Sequence, residues 1–155
     1  MRVSENMGIV YVLKPGDHQA GVAGDSINMG KYRHVAFIIQ FATLTGDAVL
    51  TVKSGATAAV ETTAETMHYR LADADQGADT ADTYAAWADS AGLTLTAATY
   101  SDRTLIVEMD SNELTADQPW ITLAFSAAAD ALNAAVVAVL CEPRYGAHDM
   151  LTAIS

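Results

Sequence analysis

Period-two alternation, repeated in short runs and broken by turn residues, is the feature that most restricts what this chain can fold into. An apolar residue at every second position marks a strand with one face buried. His34 to Phe41 places Val35, Phe37, Ile39 and Phe41 on one face. Ala48 to Lys53 sets Val49, Thr51 and Lys53 opposite Leu50 and Val52, and Met67 to Leu71 sets Met67, Tyr69 and Leu71 opposite His68 and Arg70. Leu105, Val107 and Met109 share a face, as do Ile121, Leu123 and Phe125. Ala134 to Cys141 is an almost unbroken apolar run, and Ile9 to Lys14 is rich in β-branched and aromatic residues until Pro15-Gly16 is expected to stop it. Turn residues fall between the runs, at Thr45-Gly46-Asp47, Ser54-Gly55, Gly92 and Ser101-Asp102. Eight to ten short strands and no sustained 3.6 period predict an all-β fold, an antiparallel β-sandwich or jelly roll. Its expected core includes Val35, Phe37, Ile39, Leu105, Val107, Ile121, Leu123 and Phe125. Residues 83–89 and 93–96 are expected as strands, with one helical turn capped by Thr80 or Asp82 as the alternative for the first. Residues 127–133 are the one stretch with room for a short helix.

The 155 residues suit a single domain, 1–155, with a terminal arm at each end (1–8 and 146–155). Met150, Leu151 and Ile154 make the last segment too apolar for a free tail. Aromatics are only 7% of the chain, and much of its 51% apolar content is alanine, so a thin sandwich core is favoured over a deep enzymatic cleft. Eight Lys and Arg face 19 Asp and Glu, a formal net charge of −11. Affinity for a phosphate backbone comes largely from Lys and Arg, so no nucleic-acid partner is expected. Acidity that simply keeps an abundant protein soluble explains the same balance. Cys141 is the only cysteine, which excludes an intramolecular disulfide and a multi-cysteine metal site. Residues 1–7 lack the apolar core of a signal peptide, and the longest apolar run is far short of the ~20 residues of a membrane helix. No membrane partner is expected.

The titratable residues form no convincing chemical set. His18, His34, His68 and His148 show no pair at metal-ligand spacing. Glu61, Glu65 and His68 would share one face of a helix, but the threonine-rich segment around them leads into a strand, where His68 points away from both carboxylates. Asp73, Asp75, Gly77 and Asp79 resemble the opening of a calcium loop, yet Tyr84 stands where the bidentate glutamate belongs. A solvated acidic loop is the favoured reading there, a weak cation site the alternative. Cys141 on an apolar strand reads as an inert small hydrophobe. The chain has no Gly-x-Ser-x-Gly elbow and no phosphate-cradling loop, so the expectation is a protein that is not an enzyme and needs no cofactor or metal.

The strand 103–109, the acidic loop 110–119, the strands 120–126 and 134–141 and the closing Glu142-Pro143-Arg144-Tyr145 form a recognisable order. Together with Met29 to Gln40, this order resembles the small β-rich proteins that decorate, or cement, the heads of tailed bacteriophages and prophages. The resemblance spans roughly Asp25 to Tyr145. It implies a structural virion protein made in the bacterial cytoplasm and bound to the outer surface of the capsid. It further implies a homotrimer that bridges subunits of the major capsid protein. A head-tail connector or tail component is the nearest alternative. A carbohydrate- or receptor-binding sandwich, suggested by Trp87, Trp120 and the tyrosines, is the second. Pro143 cannot donate to a β ladder and should end its strand. Arg144 and Tyr145 then either form an interface or plug the sandwich, Arg144 pairing with a carboxylate. The arms are expected to carry the partner contacts, through Met1, Arg2, Val3, Arg144, Tyr145, Met150, Leu151 and Ile154.

Overall fold

Alternation becomes two antiparallel sheets packed face to face, an all-β sandwich. The computed structural model describes residues 7–144 and residue 154. In chain order the elements are β1 (Gly8–Asp17), β2 (Val22–Ala23), β3 (Ile27–Asn28), β4 (Tyr32–Leu44), β5 (Ala48–Gly55) and β6 (Thr63–Ala64). They continue with β7 (Met67–Leu71), β8 (Ala88–Ser90), β9 (Leu93–Leu95), the single-turn helix α1 (Ala97–Tyr100), β10 (Thr104–Asp110), β11 (Trp120–Phe125) and β12 (Leu132–Pro143). The first sheet runs β1-β12-β4-β10-β7-β8. The second runs β2-β11-β5-β6, with β3 also on β11 and β9 also on β5.

Strands β4 and β5 belong to different sheets, as do β10 and β11, and β11 and β12, so the chain repeatedly arches over the core. The first of these arches is the expected Thr45-Gly46-Asp47 turn. Its Gly46 lies so close to the backbone of Asp130 that a Cβ would come within 2.5 Å of the Asp130 nitrogen. Glycine is required there by the close approach of two segments of the backbone. Between the sheets, Phe37, Ile39, Leu105, Val107 and Val136 meet Leu50, Val52, Ile121, Leu123 and Phe125 in one hydrophobic cluster. All eight expected core residues are at most 3% exposed.

Local expectations fail where tertiary context intervenes. Pro15-Gly16 does not stop β1, which continues to Asp17 through register shifts around Leu13. β1 is an edge strand, where the missing proline N–H costs no ladder bond. Of residues 83–89, only Ala88 and Asp89 join a strand, β8, while Tyr84 makes an isolated bridge to Ala72. Neither a full strand nor the Thr80 or Asp82 helical turn forms there. The one helical turn, α1, lies further on and buries Tyr100. Residues 127–133 carry no helix, and Leu132 and Asn133 already belong to β12. Pro143 ends β12 as expected, paired with Tyr32. Among the described residues no helix is long and apolar enough to cross a membrane.

Candidate binding face

The outward face of the first sheet gathers side chains from six strands into registered rows. One row reads Tyr11, Val137, Ile38, Ile106, Arg70 across β1, β12, β4, β10 and β7. The next reads Ile9, Val139, Ala36, Glu108, His68, Asp89 and reaches β8. Beyond it lie Cys141, His34 and Asp110. The face is therefore divided. Across β1, β12 and β4 the first two rows are apolar, with Ile9 55% and Tyr11 69% exposed. From β10 to β8 it turns into a charged margin.

In that margin both ring nitrogens of two histidines meet carboxylates. Nδ1 of His68 lies 2.6 Å from Asp89 and Nε2 lies 2.9 Å from Glu113. Nδ1 of His34 lies 2.7 Å from Asp110, and its Nε2 lies 3.3 Å from Glu108. A carboxylate only accepts, so hydrogen bonds at both ring nitrogens of His68 favour its doubly protonated form. Hydrogen bonds to Asp89 and then Glu113 raise the pKa of His68, outweighing the opposite effect of burial. Glu113 also accepts the backbone N–H of Asp110 at 2.9 Å, which fixes the loop after β10 against the sheet. These groups and Trp87 surround a shallow pocket of about 300 Å³. Arg70 stacks against Trp87 of this lining, its guanidinium 5.1 Å from that ring centre and 5.2 Å from the Tyr84 ring centre.

The other candidate residues lie apart from this face. Glu61 pairs with Lys53 at 3.1 Å, on the second sheet. Glu65 is buried, accepting hydrogen bonds from the Ser54 hydroxyl and the Thr115 N–H. Burial pushes its carboxyl up, but those hydrogen bonds outweigh burial and hold its pKa below the usual value. The trio is thus split: Glu61 and Glu65 flank β6 of the second sheet, and His68 stands on β7 of the first. Asp75 of the acidic loop binds Arg103 at 2.9 Å. Among the described residues no three His, Cys, Asp or Glu side chains are placed to hold a metal ion together. The Cys141 thiol is pushed up by burial and by the Glu108 and Glu142 carboxylates, so it stays protonated at neutral pH.

Of the residues expected to form the partner interface, Arg144 is exposed and reaches the Ser111 hydroxyl at 2.6 Å rather than a carboxylate. Ile154 bridges back to Ile27, placing that part of the tail on the protein's own second sheet. Met1, Arg2, Val3, Tyr145, Met150 and Leu151 lie outside the described residues. Sequence reasoning overlooked the apolar rows, although one signal was available: Ala134 to Cys141 is apolar on both faces, the pattern of a strand covered on both sides. No protein-family model, no curated protein and no solved structure matches this chain.

Proposed function

We propose that this protein is a structural component of a tailed-phage virion, a decoration protein that binds the outside of the head and stabilises it by bridging major capsid subunits. The observation that carries this reading is the divided outer face of the first sheet. The apolar rows of this face form a broad sheet surface with Ile9 and Tyr11 exposed, suited to another protein rather than to a small substrate. The acidic body agrees with a place outside the shell, away from packaged DNA. Bridging works through multiplicity: modest contacts engaged together hold neighbouring capsid subunits with high effective affinity. The order of strands and loops that resembles head decoration proteins points the same way.

The test is to add the purified full chain to undecorated heads, sediment them, and compare band intensities with the major capsid protein. A copy number on the order of hundreds per head is the expected result, whereas about six or twelve copies would assign the chain to a connector or tail ring. Failure to co-sediment overturns the proposal.

A second reading has one observation in its favour. Trp87 is 48% exposed beside the carboxylates of the pocket, an aromatic platform next to acceptors, as sugar recognition requires. Glycan binding that is lost in Trp87→Ala would support a carbohydrate-binding role.

A further inference from the structure

We propose that the loop joining β10 to β11 is a strap that closes across the two sheets only within a window of pH, its first half latched by His68 and its second half by Glu65.

Residues 111–119 cross from the first sheet, which holds β10, to the second, which holds β11. A shorter crossover, Glu65 and Thr66, joins β6 of the second sheet to β7 of the first. Side chains in and just after this crossover grip the strap at two points. Glu113 meets Nε2 of His68 at 2.9 Å. Two residues on, the Thr115 N–H donates to Glu65 at 2.9 Å. The Ser54 hydroxyl, itself bonded to Glu65, lies 2.8 Å from the Gln118 side-chain amide. Each grip also walls a pocket. Glu113 lines the one beside Trp87, and Thr115 and Gln118 line a second, of about 330 Å³, shared with Met29 and Arg144.

The His68 latch uses two ring protons, whereas a neutral imidazole has one N–H to donate. When the ring loses a proton, one of its two bonds to carboxylates must go. The Asp89 bond is the shorter, at 2.6 Å, and Glu113 keeps another donor in the Asp110 N–H, so the Glu113 bond is the one released. A lone pair on Nε2 then faces a carboxylate, which pushes the first half of the strap away. The neighbouring charges offer no substitute proton. Glu108 stands opposite His68 on β10, Arg70 shares its face of β7 and stacks on Trp87, and His34 is engaged by Asp110 and Glu108.

The Glu65 latch needs the opposite state. Its carboxylate accepts two hydrogen bonds, and gaining a proton turns them from charge-assisted to neutral, roughly halving their strength. Among the described residues no cation pairs with Glu65. Lys53 alternates to the other side of β5 and binds Glu61, and Asp117, the strap's remaining charge, is exposed.

Linkage then gives the window its two edges. Asp89 and Glu113 raise the His68 pKa, so this latch holds at lower pH and opens as pH climbs past a value above 6.5. Burial raises the Glu65 pKa, but hydrogen bonds from Ser54 and Thr115 outweigh it, so that latch opens as pH falls past a value below 4.5. Between these values both halves are held.

Carbon-13 spectra of the full-length protein, followed from about pH 3 to about pH 9, test the two ends separately. The Glu113 carboxyl and the Asn112 backbone should shift with the midpoint of the His68 ring, while Thr115 and Gln118 stay still. Cα order parameters of Asn112 and Glu113 should fall from about 0.85 towards 0.6 across the same transition. Thr115 and Gln118 should instead move with the Glu65 carboxyl at the acid edge. His68→Gln should erase the alkaline transition of the strap, and His34→Gln should leave it. Glu65→Gln should erase the acid one. If that buried substitution fails to fold, the wild-type midpoints of Glu65 and Thr115 still decide the acid edge by agreeing or differing. Strap resonances that ignore His68, a shift without loss of order, an Asp89 carboxyl that responds in place of Glu113, an alkaline transition that survives His68→Gln, or a Thr115 that ignores Glu65 would each overturn the proposal.

Discussion

Phe41 and Phe125 meet edge to face across the interior, ring centres 6.2 Å apart and planes inclined at 70°. One residue comes from β4 and the other from β11, so this contact ties the two sheets together. Tyr100 of α1 adds a second edge contact to Phe41 at 6.1 Å. Phe125→Ala removes the ring at one end of this stack, in the packed core between the sheets. It should cost about 3–5 kcal/mol of stability. The midpoint and slope of a denaturant titration measure this directly, and a loss below about 1 kcal/mol would contradict the packing described.

Glu65 supplies an acid-sensitive support. Its pKa is lower in the folded chain than in the unfolded one, so its stabilising contribution is fully present above the unfolded value and fades as pH falls through the folded value. Glu65→Gln should lose about 1–3 kcal/mol at neutral pH, since charge-assisted hydrogen bonds from Ser54 and Thr115 go with the carboxylate. The gap between wild type and variant should narrow as pH drops below 4.5, the ordinary value for this group. Parallel thermal melts across that range provide the measurement.

His68 works in the opposite direction. Its pKa is raised on folding, so its contribution is complete below the unfolded value of 6.5 and disappears as pH climbs through the higher folded value. The imidazole resonances should titrate above 6.5, and Asp89→Asn should bring that titration down. With 40% of the side chain exposed, the stabilisation at stake is small, at most about 1 kcal/mol. A His68 titration at or below 6.5 in the wild type would disprove the double hydrogen bond.

Chelation should change nothing. Asp75 in the acidic loop is engaged by Arg103, and the loop needs no ion to hold that contact. Excess EDTA is expected to leave the thermal midpoint unmoved. A drop of many degrees would reveal a structural cation.

Much of the fold was readable because alternation is local. Val35, Phe37, Ile39 and Phe41 face the core because successive Cβ atoms of a strand point to opposite sides. The Thr45-Gly46-Asp47 turn was readable for an equally local reason. The candidate face was not. His34 and His68 stand far apart in the chain and at no metal spacing, and only the pairing of β4 and β7 with β10 brings them to one margin with Glu108 and Asp110. Residues 83–89 misled because their threonine, tyrosine and tryptophan suit a strand, yet only Ala88 and Asp89 join one, paired with β7, while Tyr84 makes a single bridge to Ala72.

By itself, then, the sequence determined the β class, the facing of each long strand, most of the core and the acidic surface. These follow from side-chain periodicity and composition, which need no partner. Tertiary structure alone decided that β12 lies between β1 and β4, and hence that Ile9, Val139 and Ala36 stand side by side. Strand order is set by backbone hydrogen bonds between distant segments, and those bonds are nearly blind to the side chains they join.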